Sequence, residues 1–231
     1  MTLSELAFAC FLYSQLTGDD SSHLLFLQIT SGSPDLSNPD HRKALLVWLN
    51  QWGCRQFALE YHELASGEIL SWHNEHSAAF FPEDRNLWEL TESELASAGV
   101  AYESLSSRTA SYRTRSGNTF RVSFGPAGAS KILFAIRSRA LLPWDGSIRE
   151  SLGYDKSQAS YLSCLRHVKS MLEELATSCQ RNGFQLADLP QQMGRPHSTV
   201  PKLIDEYYWI KITKSYSLPD SDAFRRWANW S

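Results

Sequence analysis

Apolar residues recur at helical spacing along most of this 231-residue chain, and one short stretch breaks that pattern. In residues 111–124 (SYRTRSGNTFRVSF) two alternating runs flank Ser116-Gly117-Asn118, which predicts a β-hairpin. Residues 23–30 fit either a strand or a short buried helix, residues 31–41 read as a loop, and residues 58–82 are ambiguous. Helices are predicted over residues 2–16, 39–52, 91–107, 129–139, 146–152, 157–181, 186–193, 199–209 and 220–230. The expected fold class is mainly α with a small β-hairpin.

These elements are expected to form one mostly helical domain over residues 1–231. The hydrophobic content of 42% is sufficient for a real core, and the chain shows no internal repeat or clear linker. The expected order is N-terminal helices (1–107), the β-hairpin (111–124), a central segment (124–152) and C-terminal helices (156–231).

Positive charge is concentrated in one part of the sequence. The whole chain has a formal net charge of −3, whereas residues 108–149 carry +7 and the remainder therefore carries −10. The basic residues of this segment are Arg108, Arg113, Arg115, Arg121, Lys131, Arg137, Arg139 and Arg149. Asp145 is the single acid among them. One positive face and one isolated carboxylate indicate chemistry on a polyanion.

The cysteines and the N-terminal segment indicate a reduced, non-membrane environment. The four cysteines are scattered, with no C-x-x-C pair, which argues against an iron–sulfur cluster or a cysteine-rich zinc site. Residues 1–20 lack a basic region before their apolar part, which itself contains Glu5, and are too short to span a bilayer. We expect a cytoplasmic protein with no membrane association, no cofactor, no metal and no obligate protein partner.

A glycine pair precedes the predicted helix at 129–139. Gly125 and Gly128 would let the backbone approach a ligand closely, and the amides of the first helical turn, including that of Ser130, could hold a DNA phosphate. The same glycines could equally do nothing but turn the chain. The segment then continues through Lys131 to Asp145, at the start of the next helix. On the residues alone, Asp145 would more simply cap that helix or pair with an arginine on its face.

With its flanking residues, the stretch from Phe124 to Leu152 resembles the helix-hairpin-helix DNA glycosylase superfamily. Those enzymes carry a glycine-containing hairpin that grips the DNA backbone, then a helix, then a segment of the form apolar-Pro-x-Asp-x-x-(Val/Ile). The sequence LLPWDGSIRESL matches that segment through Pro143, Asp145 and Ile148. The resemblance implies a helix-hairpin-helix glycosylase-like domain in which Asp145 stabilises an oxocarbenium-like sugar and orients or deprotonates the attacking water.

The resemblance and the basic charge together suggest which residues contact DNA. They are Gly125, Gly128, Ser130, Lys131, Arg113, Arg115, Arg121, Arg137, Arg139 and Arg149. In bifunctional members of the superfamily a Schiff-base lysine directly follows the second glycine, where this chain has Ala129. Lys131 is therefore interpreted as a phosphate contact or a helix-surface charge. The expected activity is that of a monofunctional glycosylase, which leaves an abasic site.

An enzyme that acts on a base must flip it from the stack into a pocket. Candidate pocket walls are the aromatic residues Trp144, Trp48, Trp52, Tyr112 and Tyr154. At the level of the family, the chain is also similar to the bacterial antiphage DNA glycosylases that remove glucosylated hydroxymethylcytosine from phage DNA. That similarity implies modified phage DNA as a partner, and tryptophan and tyrosine faces suit the stacking of a sugar.

Two other functions are compatible with the sequence. A non-catalytic DNA-binding module would use the arginines for phosphates and Asp145 as a helix cap. A metal-dependent hydrolase or nuclease would use His62, Glu63, His73 and His76, although their spacing matches no zinc motif.

Residues 194–214 have the apolar spacing of a docking helix, through Leu203, Ile204, Tyr207 and Tyr208. The alternative for this segment is insertion into DNA, with Arg195, His197 and Lys202 on phosphates.

Overall fold

The structure is a computed structural model that describes residues 1–18, 20–219 and 222–223. It is mainly helical with one small antiparallel hairpin, which confirms the fold class. The helices are α1 (Leu3–Thr17), α2 (Ser21–Ile29), α3 (Pro39–Gln51), α4 (His62–His76), α5 (Glu92–Ser107), α6 (Gly125–Ile136), α7 (Gly146–Ser151), α8 (Gln158–Arg181), α9 (Leu189–Gln192) and α10 (Val200–Tyr208). The strands are β1 (Thr109–Arg115) and β2 (Asn118–Ser123). A π-helical turn, Trp209–Thr213, follows α10.

Local capping signals fix the starts of several helices. Thr2 and Glu5 form a capping box at α1, and Thr91 and Glu94 form another at α5, where the sequence TESE predicted one. Asn38 caps α3 through the amide of Asp40, with Pro39 at the first helical position. These starts are encoded by neighbouring residues, which is why the sequence predicts them well.

Three regions differ from the sequence-based expectations or resolve them. Residues 23–30 belong to the helix α2, and most of the ambiguous 58–82 segment forms α4. Helix α6 begins at Gly125 and ends at Ile136, so the predicted bounds of 129–139 were shifted toward the C-terminus. The predicted helix over 220–230 lies outside the described residues except for 222 and 223.

Helix α6 occupies the centre of the hydrophobic core. Every residue from Gly128 to Ile136 is buried, and the helix contacts α5 on one side and α3 on another. Phe134 stacks on Trp52, with ring centroids 6.2 Å apart. The ring centroid of Phe134 also lies 6.4 Å from that of Trp48. Each fully buried side chain of this size contributes about 1.5–3 kcal/mol to folding. The polar side chains that α6 carries are therefore held in place by a packed core.

The hairpin connects α5 to α6 and projects from the helical body. Thr119 opposes Thr114, and the two-residue turn Ser116-Gly117 has φ of 52° and 78°, the left-handed geometry that matches strand twist. At the base of the hairpin the amide of Phe124 donates to the carbonyl of Arg108 over 2.8 Å. The element before α6 is thus strand β2, so the Gly125–Gly128 turn does not link two helices.

No helix in the described part of the chain has both the length and the apolar character needed to cross a bilayer.

Gly128 gives a test of how tightly α6 packs. A Cβ atom at this position would lie 2.8 Å from Nε2 of Gln56 and 3.1 Å from the ring of Phe57. We expect Gly128→Ala to lower the free energy of unfolding by about 1–3 kcal/mol because the core has no room for the added methyl group. The matched control is Gly67→Ala on α4, where nothing lies within 4 Å. It should raise stability by about 0.5–1 kcal/mol through helix propensity alone. Equal effects in urea titrations would contradict the close packing.

Candidate active site

A buried ion pair joins the two residues that the central segment singled out. The ammonium of Lys131 lies 2.7 Å from Oδ1 of Asp145, and the exposed fractions of the two side chains are 3% and 34%. Lys131 also donates to the carbonyl of Trp52 over 2.8 Å. The chain places Lys131 on α6, Trp52 at the end of α3 and Asp145 directly before α7. One amine therefore holds three separate segments together.

Asp145 occupies the N-cap position of α7 but does not act as a cap. Its side chain makes no capping hydrogen bond to α7, all of which the structure describes. It does not pair with Arg149 either, since that guanidinium lies 3.4 Å from Glu150 and 5.6 Å from the ring centroid of Trp144. Neither of the simple structural roles expected for Asp145 is present. Its carboxylate turns instead to Lys131 and to an open cavity.

The cavity beside this pair has a volume of about 420 Å³. That volume lies within the range of roughly 300–1,000 Å³ that small-molecule sites occupy. Aromatic rings and carboxylates dominate its lining, which includes Tyr13, Asp20, Trp52, Lys131, Asp145, Asp205 and Trp209. Tyr13 and Trp209 meet edge to face, with centroids 5.3 Å apart. The site therefore offers flat apolar faces together with several hydrogen-bond acceptors.

Trp52 is the most firmly fixed wall of the cavity. Its indole Nε1 donates to Oδ1 of Asp20 over 2.9 Å. The ammonium groups of Lys131 and Lys202 lie 5.3 Å and 4.9 Å from its ring centroid, within cation–π range. The indole nitrogen, the backbone carbonyl and the π system of Trp52 are thus all engaged, so its ring presents the same surface to any ligand that enters.

A second cluster of buried charges supports this wall. Lys202 is fully buried, and its ammonium lies 3.3 Å from Asp205, 3.4 Å from Glu206 and 3.6 Å from Asp20. Arg195 forms a two-pronged pair with Glu206. Buried charges of this kind are tolerated only when they are paired and hydrogen-bonded. The acids that reach the cavity thus have cations behind them.

These pairings set the protonation of the buried groups. Burial opposes the charged form of Lys131, but the Asp145 carboxylate outweighs it and raises the pKa of the amine. Burial raises the pKa of Asp205 to about 6, against the opposing effect of Lys202. Burial also acts on Asp20, but Lys202 and the Trp52 hydrogen bond hold its pKa below the usual value. Lys131 is therefore a charged ammonium at neutral pH, and Asp205 is a carboxyl that titrates near neutral pH.

Four of the predicted DNA contacts are buried, so those assignments were wrong. Gly128 abuts Phe57, and the hydroxyl of Ser130 accepts a hydrogen bond from the amide of Trp144 over 2.9 Å. Lys131 belongs to the cavity and not to the helix surface. Arg149 is also buried and lies over the Trp144 ring. Gly128, Ser130 and Arg149 lie where α6 or α7 meets the core, out of reach of a phosphate, and the ammonium of Lys131 is already paired with Asp145 and the Trp52 carbonyl.

The remaining predicted contacts are distributed differently. Gly125 is partly exposed at the start of α6, with φ of 65°. Arg137 donates to the carbonyl of Phe81, and Arg121 to that of Ser107, so both guanidinium groups are used within the fold. The exposed residues Arg113 and Arg115 lie on β1, and Arg139 is exposed just after α6.

Of the five aromatic residues predicted to line a base pocket, the structure places one in the cavity. Trp52 lines it, whereas Trp48 and Trp144 are core residues with 1% exposure. Tyr154 packs against Trp144 with centroids 6.1 Å apart, and Tyr112 lies on the hairpin against Tyr61. The predicted set is corrected because large aromatic rings adjacent in sequence to a functional residue mostly fill the core.

Sequence reasoning missed four of the aromatic and acidic residues that line the cavity. Tyr13 and Asp20 come from the N-terminal region, and Asp205 and Trp209 from the C-terminal one. One signal was present: Lys202, Asp205 and Glu206 are charges inside an otherwise apolar helix, at the i, i+3 and i+4 spacing of an internal ion cluster. Helix α10 is buried along its length, as its apolar spacing predicts.

The histidines proposed for a metal site have separate partners. His62 contacts Asn50, and His76 contacts Ser104 over 2.9 Å. His73 lies near Asp35 and Arg137. Among the described residues, no group of three or more histidine, cysteine or acidic side chains is placed to hold a metal ion.

Comparison with protein-family models, with curated proteins and with solved structures finds no match to this chain. Its function is therefore inferred from the geometry of the cavity.

The Lys131–Asp145 pair gives a direct test of the site. We expect Asp145→Asn to lower the pKa of Lys131, because the variant removes the charge that most strongly opposes the effect of burial on the amine. Stability should fall by about 1–2 kcal/mol, less than for a fully buried pair because Asp145 is a third exposed. Carbon-13 NMR titration of the lysine side chains measures the pKa. Glu150→Gln, an exposed acid five residues away, is the control. An unchanged Lys131 titration would show that the pair does not form.

Proposed function

We propose that this protein is a DNA N-glycosylase that flips a modified base into the cavity beside Asp145 and hydrolyses its N-glycosidic bond. The observation that carries the proposal is the position of Asp145. Its carboxylate neither caps α7 nor pairs with Arg149, is held by a buried ammonium, and faces a cavity of about 420 Å³ that is lined in part by aromatic rings. A carboxylate at the mouth of a base-sized pocket is the group that this reaction requires.

The chemistry needs stabilisation of positive charge on the sugar. As the bond between C1′ and the base nitrogen breaks, the deoxyribose gains oxocarbenium character, which a nearby carboxylate stabilises. Water then forms the new C1′–O bond, its proton is released through Asp145, and the base leaves with the electron pair and is protonated. The ion pair with Lys131 keeps the carboxylate in a fixed orientation. Trp52 supplies a face on which the flipped base stacks.

Within this reaction we propose glucosylated hydroxymethylcytosine in phage DNA as the substrate, with antiviral defence as the role. Two features of the cavity support it. Trp52, Tyr13 and Trp209 offer aromatic faces for a sugar ring. Asp205 offers a carboxylate that can accept hydrogen bonds from hydroxyl groups.

A base-release assay tests the activity. Wild-type protein should produce alkali-sensitive abasic sites in one DNA of a panel that carries uracil, 8-oxoguanine, alkylated purines, hydroxymethylcytosine and glucosylated hydroxymethylcytosine. Asp145→Asn should lower the rate by about 10²–10³-fold or more, because it removes the charge that stabilises the transition state. Glu150→Gln, which alters an exposed acid, should retain wild-type turnover. DNA binding without base release on any substrate would favour the non-catalytic binding module instead.

The protonation of Lys131 separates hydrolysis from lyase chemistry. A lysine attacks C1′ only as a neutral amine, and the carboxylate beside Lys131 favours the ammonium. We therefore expect abasic sites to stay intact until alkali is added, and borohydride to trap no covalent protein–DNA adduct at neutral pH. Strand cleavage without alkali, together with an adduct that disappears in Lys131→Met, would replace the hydrolytic assignment with a bifunctional one.

A further inference from the structure

Beyond its base, where Ser111 contacts the helical body, the β-hairpin has one face that the fold does not use. Opposite residues of an antiparallel pair share a face, as do residues two apart on a strand. The register pairs Arg113 with Phe120 and Arg115 with Asn118, so these four residues form one face, here called the outer face. The opposite face, here called the inner face, is formed by Tyr112, Thr114, Thr119 and Arg121. The outer face thus has an aromatic ring beside two guanidinium groups.

The two faces have different surroundings. On the inner face Tyr112 meets Tyr61 edge to face, and Arg121 donates to the Ser107 carbonyl, so this face is turned toward the helical body. On the outer face Phe120 is 55% exposed, and the side chains of Arg113 and Arg115 are exposed. Neither of these two guanidinium groups has a hydrogen bond or ion pair within the described part of the chain. The other arginines of the hairpin and its flanks, Arg108 and Arg121, are both engaged.

The hairpin is joined to the rim of the cavity by short connections. Gly53 follows Trp52, and the loop continues to Gln56, whose carbonyl accepts from Ser111 and whose amide donates to the Phe124 carbonyl, both over 2.7 Å. From the other side, Lys131 lies six residues into α6, about 9 Å along the helix from Gly125. With strands of six and seven residues, the hairpin is an arm of about 20 Å whose base adjoins the cavity.

From this arrangement we propose that the outer face binds unpaired DNA next to the flipped nucleotide. Arg113 and Arg115 contact the backbone phosphates, and Phe120 stacks on an exposed base. The charge is complementary to a polyanion, since the hairpin holds three arginines and no acid. An exposed aromatic ring beside cations is the platform that single-stranded nucleic acid uses, whereas an intact duplex offers the ring no base to stack on. The proposal rests on the proposed function for its substrate but concerns binding alone.

Binding to three fluorescent DNAs tests this surface: a single strand, an intact duplex, and the same duplex with a three-nucleotide bubble. Phe120→Ala should weaken binding to the single strand and the bubble by about 10-fold and binding to the intact duplex by less than 2-fold. Phe120→Trp should restore it. The matched control is Phe11→Ala, which removes an equally exposed ring from α1.

Arg113→Gln with Arg115→Gln should reduce the slope of log affinity against log salt for the single strand by about 1.4. The charge-matched control is Lys43→Gln with Arg181→Gln, which removes two exposed cations from α3 and α8.

Each outcome decides a separate point. If Phe120→Ala leaves binding unchanged, or weakens the duplex equally, the stacking role is wrong. If the control variants have the same effects, the outer face has no special part. Tighter binding of an RNA strand of the same sequence would overturn the assignment to DNA. Hairpin-dependent binding without base release would remove the proposed function and keep this inference. Base release at the same rate in the hairpin variants as in the wild type would keep the proposed function and remove this inference.

Discussion

The buried ammonium of Lys131 determines where the candidate catalytic carboxylate lies. A charged amine within the core requires strong acceptors, and only the Trp52 carbonyl and Asp145 come within 3 Å of it among the described residues. Asp145 is consequently drawn away from the helix end that it precedes. The same contact fixes the carbonyl at the end of α3, and with it the indole that forms one wall of the cavity. Position, charge and shape of the site thus depend on one interaction.

The cavity is rich in carboxylates although its proposed ligand is a polyanion. This is consistent because the two kinds of contact are separated. The acids lie inside the cavity with Lys131 and Lys202 behind them, where the ligand presents neutral rings and hydrogen-bond donors. Arg113 and Arg115, which have no partner within the described residues, lie outside it on the hairpin, where the phosphates of the proposed ligand would pass. A phosphate would be repelled from the cavity, and a flipped base would not, so the charge distribution itself favours one orientation of the DNA.

The sequence predicts the elements whose signals are local and misses what depends on distant contacts. Capping residues and a two-residue turn define α5 and the hairpin, and both were predicted correctly. The start of α6 was wrong because Gly128 was interpreted as part of a turn, whereas its missing side chain makes room for Phe57. The pairing of Lys131 with Asp145 was missed because it depends on contacts that are distant in the sequence. The ammonium is held by the carbonyl of Trp52, 79 residues earlier, and it is buried, whereas a lysine is expected at the surface.

A lysine beside an aspartate can serve two opposite purposes, and the energetic balance at Lys131 distinguishes them. For the amine to attack a sugar, burial would have to outweigh the carboxylate so that the proton is lost easily. Here the carboxylate prevails, and the Trp52 carbonyl further favours the protonated form. A base that enters the cavity would displace water and strengthen the attraction between the two charges. Occupancy of the site would therefore hold Lys131 more firmly as a cation, which in the proposed reaction positions Asp145 while water attacks the sugar.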